Sequence, residues 1–240
     1  MTAVLRMMFA ALALVMAATS ARADAPVSKT SHPMKIGIIG AGEIGSALAR
    51  HWGAAGHQLM ISSRHPEELQ SLAKEIGPNV KVGTPREAAA FGDVIMLAVP
   101  YGATPQVGRD YAAELKGKIV LDAGNPYPSR DGEMAVRDRQ RGTGVASAEY
   151  LPGTRLVRAF NAINSGPLLH DGFHTPERLG IPLASNDPEA MKVAAQLVND
   201  AGFDPVPVGG LSRAREFDYG TPVYVRGMTA AELKRALKLP

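Results

Sequence analysis

The chain has 240 residues, 45% hydrophobic and 20% charged, which is enough apolar material for one globular domain with a small appendage and excludes a disordered chain. Its formal charge of +3 includes Arg6 and Arg22 near the N-terminus, and the small remaining excess gives no nucleic-acid footprint. With no cysteine, disulfides, thiolate catalysis and cysteine-ligated zinc or iron–sulfur sites are ruled out.

Residues 1–23 read as an export signal, because Arg6 precedes the apolar run Met7 to Thr19 and Ala21-Arg22-Ala23 supplies a small-x-small cleavage site. The run is too short for a stable membrane anchor, and no twin arginine precedes it. A periplasmic protein beginning at Asp24 is therefore expected. The alternative is a start at Met34, directly before the first strand, which would make the protein cytoplasmic. Residues 24–33, polar and proline-containing, read as a linker.

From Lys35 onward short apolar runs alternate with amphipathic stretches, the rhythm of a parallel sheet covered by helices on both faces. Ile36 to Ile39 is the first strand. Glu43 to Ala55 is a helix with Ile44, Leu48 and Trp52 on its buried face and Gly56 as its stop. A strand at Gln58 to Ser62, a helix at Pro66 to Ile76 and a short strand at Val80 to Val82 follow. Thr84-Pro85-Arg86-Glu87 then forms a capping box. Val94 to Val99 and Ile119 to Leu121 read as central strands around a helix from Thr104 to Leu115, and Leu156 to Phe160 as a sixth strand. Beyond it, a strand at Ile181 to Ala184, a helix from Pro188 to Ala201 capped by Asp187, and a strand at Val206 to Val208 form a second βαβ-like group. Thr229 and Glu232 cap a last helix.

Gly40-Ala41-Gly42-Glu43-Ile44-Gly45 is a G-x-G-x-x-G that follows the first strand and opens the first helix. In that context Gly40 permits the tight turn, Gly42 lets a pyrophosphate approach the backbone, Gly45 allows close helix–strand packing, and free amides at the helix start face the phosphates. The pattern predicts an α/β fold, a Rossmann doubly wound parallel sheet over residues 34–160, with a small C-terminal α/β extension over 161–240 for substrate binding or dimerisation. The second strand ends in Ser62, Ser63 and Arg64, where NAD sites usually place a carboxylate for the ribose 2′-hydroxyl. A guanidinium and hydroxyls there favour a 2′-phosphate, hence NADP(H).

The glycine turn, Ser63-Arg64, Ala98-Val99-Pro100-Tyr101, Asn125-Pro126, Phe160-Asn161-Ala162-Ile163 and Gly210-Leu211-Ser212-Arg213-Ala214-Arg215 together resemble the deazaflavin-dependent NADP reductases. The nucleotide domain of that family is shared with STEAP ferric reductases. The resemblance runs from about Met34 to Thr221-Pro222. It implies that Val99, Pro100, Tyr101, Asn125 and Pro126 line the dinucleotide. It also implies that the segment from Ala159 to Ser165 lies beside the nicotinamide, with hydride passing between its C4 and the ring of a small-molecule redox acceptor, a deazaflavin or a flavin. At Asn161 the chain departs from the archaeal-type reductases, which carry a histidine there. A homodimer is a further implication of the resemblance.

Hydride transfer needs orientation and exclusion of water more than an acid–base pair. Asn161 is the candidate catalytic residue: with Asn164 it could orient a carboxamide or a substrate carbonyl, or satisfy loop backbone. Tyr101 and Tyr127 could stack on a ring or serve packing. No metal site is expected, since His170 and His174 have Gly172 between them and no third ligand. Two other functions fit the same residues: a ferric or flavin reductase, and a non-catalytic NADP-binding redox sensor.

Overall fold

The computed structural model describes residues 29–30, 32–174 and 177–240, so the expected export signal and most of the expected linker lie outside the described residues. Strands β1 (Lys35–Ile39), β2 (Gln58–Ser62), β3 (Val80–Gly83), β4 (Val94–Leu97), β5 (Ile119–Asp122), β6 (Arg155–Arg158), β7 (Gly180–Ser185) and β8 (Asp204–Gly209) form one sheet in the order 3-2-1-4-5-6-7-8. The first six are parallel, in the doubly wound order with its crossover between β1 and β4. Strand β7 returns antiparallel to β6 and pairs in parallel with β8, so the C-terminal extension continues the same sheet.

Ten helices among the described residues clothe the sheet: α1 (Glu43–Ala55), α2 (Gln70–Ile76), α3 (Pro85–Phe91), α4 (Thr104–Asp110), α5 (Ala112–Leu115), α6 (Pro128–Arg141), α7 (Thr143–Tyr150), α8 (Ser165–His170), α9 (Pro188–Asp200) and α10 (Ala230–Ala236). Side chains alternate across each central strand, so Val94 and Met96 join the core beneath α1 and α9, while Ile95 and Leu97 join the core beneath α3 and α4. This two-sided burial is why β4 and β5 read as unbroken apolar runs. The indole of Trp52 donates to the Leu197 carbonyl at 2.8 Å, fastening α1 to α9 across the first of these cores.

Several expectations shift. The run Val94 to Val99 is extended only to Leu97, freeing the next residues to form a loop, and the expected helix from Thr104 to Leu115 is interrupted at Tyr111 (φ −118, ψ 22). The stretch Pro66 to Ile76 begins as a 3-10 turn over Pro66–Leu69. Helices α6 and α7 had no apolar stripe to betray them: α6 buries only Ala135 and Asp138 and is kinked at Gly132, and α7 buries Thr143, Gly144, Ala146 and Ser147. Thr30, in the expected linker, is docked on the fold, its amide donating to the Ala55 carbonyl at 2.9 Å.

A charged residue stands at the end of β6. Arg158 is fully buried, donating to Asp122 Oδ2 at 2.7 Å and to Asp218 Oδ1 at 3.2 Å. Asp122 ends β5 and also accepts from the Gly124 amide at 2.8 Å. Breaking a buried pair strands a charge, so Arg158→Ala is expected to destabilise the fold by about 3–5 kcal/mol in urea denaturation, with Asp122→Asn costing less because its neutral amide can still accept.

Two histidines are held neutral. His57, also buried, accepts the Met34 amide on Nδ1 at 3.1 Å while its Nε2 lies 3.0 Å from Asp200 Oδ2, and His51 Nε2 lies 2.7 Å from the Leu168 carbonyl. Burial lowers the pKa of both below the ordinary 6.5. The folded state then binds fewer protons than the unfolded state just below that value, so stability is present above pH 6.5 and is lost as pH falls through the lowered pKa values. The thermal midpoint should therefore fall on acidification from pH 7.5, and fall less steeply in His51→Gln.

Candidate functional site

The turn between β1 and α1 is shaped by sterics. Gly40 has φ +99, and a Cβ on Gly45 would stand 2.0 Å from the Gly40 carbonyl oxygen, so neither position accepts a side chain without rearrangement. A Cβ on Gly42 would meet nothing within 4 Å. No side chain caps the first turn of α1, leaving its opening amides directed at that open space. The amides of Gly40 and Ala41 both donate to the Ser62 carbonyl, at 3.1 and 3.0 Å, which ties the turn to the end of β2. This is the cradle that a diphosphate requires: close backbone approach at Gly42, donors without acceptors, and the positive end of a helix.

Ser62 is buried and donates its hydroxyl to the Ile38 carbonyl at 2.8 Å, so its side chain fastens β2 to β1. Ser63 and Arg64 emerge beyond it. Ser63 Oγ accepts the His65 amide at 3.0 Å, and Arg64 is exposed, with no hydrogen bond or ion pair to any described residue.

A cleft of about 350 Å³ opens at the C-terminal ends of β1, β4, β5 and β6, lined by Glu43 and Ile44, Val99 and Pro100, Asn125 and Tyr127, and Phe160 with Tyr224. That is the crevice in which doubly wound sheets place ligands. The carboxylate of Glu43 accepts from Ser165 Oγ at 2.7 Å, joining the starts of α1 and α8 at its edge. Phe160 adopts φ 61, an unfavourable backbone for a bulky residue, and is held there with its ring edge-on to Trp52 at 5.9 Å. Asn125 Nδ2 donates to the Asn161 carbonyl at 2.8 Å, while its Oδ1 is buried without a partner among the described residues, an acceptor that a ligand amide could satisfy.

One end of the cleft is aromatic. The Tyr127 and Tyr224 hydroxyls are 2.5 Å apart, and Tyr219 stacks edge-on to both rings, at 4.8 and 5.4 Å. Burial, followed by the neighbouring Tyr127 hydroxyl, pushes the Tyr224 pKa well above its ordinary value and keeps that hydroxyl protonated. The Arg130 guanidinium lies 4.9 Å over the Tyr127 ring.

Of the residues singled out from sequence, Gly40, Ala41, Gly42 and Gly45 form the turn, and Glu43, Ile44, Val99, Pro100 and Asn125 line the cleft. Ser63 and Arg64 stand at the adjoining strand end. Others point away. Tyr101 is fully buried and donates to Asp138 at 3.3 Å, and Ala159 and Pro126 are buried in the loops behind the cleft. Asn161, expected to face the reacting ring, turns inward and donates to Asp218 Oδ1 at 3.3 Å and the Phe217 carbonyl at 3.4 Å. Asn161 thus bonds one carboxylate and one backbone carbonyl of the Phe217-Asp218 segment, whereas Asn164 is exposed in the cleft wall. His170 ends α8 and His174 lies beyond it, so they share no helical face, and among the described residues no three His, Asp or Glu cluster as metal ligands. Tyr219, Tyr224 and Asp218 went unread because they come from a segment without periodicity, whereas Arg158, a charge inside the apolar run Leu156 to Phe160, was a visible signal.

The glycine geometry separates two substitutions. Gly45→Ala should cost about 1–3 kcal/mol through its backbone clash, whereas Gly42→Ala, which meets no clash and loses only N-cap preference, should cost less, about 1 kcal/mol at most. Chemical denaturation of the two variants checks this.

Comparison with known proteins follows the same geometry. The family model described as NADP oxidoreductase, coenzyme F420-dependent, matches residues 35–126, from β1 through the Asn125-Pro126 loop. The F420-dependent NADP reductase of Methanothermobacter thermautotrophicus is 32% identical over 206 residues, covering 80% of this chain and 88% of the relative. Metalloreductase STEAP3 of Rattus norvegicus is 28% identical over 191 residues, 77% of this chain but 36% of that longer protein. Among solved structures, a hypothetical protein from Sinorhizobium meliloti superposes with a TM-score of 0.72 at 30% identity, over 83% of this chain and 96% of that one. Among the described residues no helix is long and apolar enough to cross a membrane. At 32% identity over most of the length of both proteins, the chain belongs to the F420-dependent NADP reductase family and is an NADP-dependent oxidoreductase.

Proposed function

We propose that the protein transfers hydride between NADPH and a planar conjugated acceptor of deazaflavin or flavin type. In this reading the diphosphate lies over the open face of Gly42, and the 2′-phosphate pairs with Arg64 and Ser63. The nicotinamide enters between Pro100, Asn125 and Phe160, with its carboxamide hydrogen-bonded by the otherwise unpartnered Asn125 Oδ1. The acceptor ring lies against Tyr127 and Tyr224, edge-on or offset-stacked on those rings. NADPH supplies the hydride; the chain's own residues hold the two rings together and keep water out.

The observation that carries the cofactor assignment is Arg64: an exposed guanidinium without a partner among the described residues, at the strand end where a carboxylate would otherwise select NAD. The acceptor class rests on the aromatic end of the cleft and on the F420-dependent relatives. Similarity to a metalloreductase supports a second reading, in which a flavin bound in the same cleft passes electrons on to iron.

Arg64→Ala should weaken NADPH binding by about 10- to 100-fold and leave NADH binding nearly unchanged, as read by nicotinamide fluorescence. An equal loss for both cofactors would remove the 2′-phosphate assignment.

A further inference from the structure

A second cavity, of about 340 Å³, lies behind the aromatic end of the cleft, lined by Val136, Arg139, Gln140, Thr143, Arg215 and Tyr219 above Asp218. Tyr219 is the shared wall: one side of this residue borders the cavity, and its ring contacts the cleft tyrosines Tyr127 and Tyr224.

The charges around this cavity are unusual for their neighbourhood. Arg130 is paired with Asp131 at 2.8 Å, Arg137 with Asp138 at 3.1 Å, Arg213 with Glu216 at 2.7 Å, and Arg141 with Glu149. Arg139 and Arg215 have no carboxylate partner among the described residues. Arg139 lies 4.7 Å over the Tyr219 ring, and Arg215 makes a single bond, from Nη2 to the Arg141 carbonyl at 3.1 Å. Both are exposed at the cavity, and Gln140 adds an amide. The one acid in the lining faces inward: Asp218 Oδ1 accepts from Arg158 and Asn161, and Oδ2 accepts the Thr143 amide at 3.3 Å, so its charge is matched from below.

We infer that this cavity receives a phosphate carried on a flexible arm of the redox acceptor whose ring occupies the cleft; the inference rests on the cleft being the hydride-transfer site. Two guanidinium groups with no carboxylate partner among the described residues are the donors that phosphate recognition uses. The Arg139 guanidinium lies 4.7 Å from a ring that is itself 4.8 Å from Tyr127, a span that a short polyol chain can cover. The site is separate from the one proposed for the cofactor's 2′-phosphate, because Arg64 follows β2 while Arg139 and Arg215 lie in segments that follow β5 and β8.

The test uses FMN and riboflavin, which share a ring and a ribityl chain and differ in the phosphate, in equilibrium dialysis against the full chain and an Arg139→Gln/Arg215→Gln variant. FMN is expected to bind at least about tenfold more tightly than riboflavin, and the preference should collapse toward unity in the variant. Inorganic phosphate should weaken FMN and leave riboflavin unaffected. The single Arg215→Gln variant, whose side chain leaves the Tyr219 stack intact, should lose part of the preference, guarding against a folding artefact in the double variant. Equal binding of the two flavins, a preference that survives both substitutions, or retention of neither flavin overturns the inference. NADPH titration of the same samples reports separately on the cleft: failure of wild-type protein to bind NADPH defeats the underlying reading, whereas tight NADPH binding without an FMN preference defeats the phosphate arm alone.

Discussion

The buried guanidinium of Arg158 sits where three parts of the chain must agree. It ends β6, reaches sideways to Asp122 at the end of β5, and reaches outward to Asp218 in the C-terminal extension. The residues that follow Asp122 and Arg158 become the two loops that carry Asn125, Tyr127, Phe160 and Asn164 into the cleft. Such a pair contributes little net stability, because desolvation offsets most of its attraction, but any arrangement that separates the partners leaves a charge stranded in the core. The network therefore fixes which geometry the loops adopt. Asn161 extends it, spending its amide on Asp218 while its carbonyl accepts from Asn125.

Around this anchor the cleft is built from contrasts in packing. At one end the backbone approaches closely and leaves open space, since a Cβ at Gly42 would touch nothing while one at Gly45 would collide with Gly40. At the other, the rings of Tyr127, Tyr219 and Tyr224 fill the space, and burial keeps the Tyr224 hydroxyl protonated. Phe160 joins the two halves in a strained backbone that Trp52 holds in place, and strain of this kind persists where the surroundings overdetermine it. The cleft thus offers amide donors to charged phosphates and flat apolar surface to rings, as a site that brings a dinucleotide and a conjugated acceptor together requires.

The C-terminal extension closes this arrangement on the same sheet while adding a core of its own, in which Ala184, Val206 and Val208 pack with Phe217, Val223 and Leu233. Strands β7 and β8 prolong it, α9 shares the Trp52 core, and the segment from Phe217 to Tyr224 folds back to supply Asp218, Tyr219 and Tyr224. The acceptor side of the cleft therefore depends on residues nearly a hundred positions downstream of the loops they touch.

The sequence by itself determined the doubly wound fold class, the glycine turn, the absence of a carboxylate after β2 and the side-chain caps at Thr84, Asp187 and Thr229, because each is encoded locally by periodicity, by a missing Cβ, or by a side chain bonding its own backbone. It could not reveal α6 and α7, whose buried positions are small or polar, nor tell which polar residues face the ligand. Asn161 and Tyr101 sit in motif-like surroundings yet turn into the core, whereas Tyr224 reaches the cleft from a stretch with no periodic signal. Those choices were made only by tertiary structure, because the partners that decide them, Asp218 for Asn161, Asp138 for Tyr101 and Tyr127 for Tyr224, are distant in the chain and meet only when the sheet and its extension are assembled.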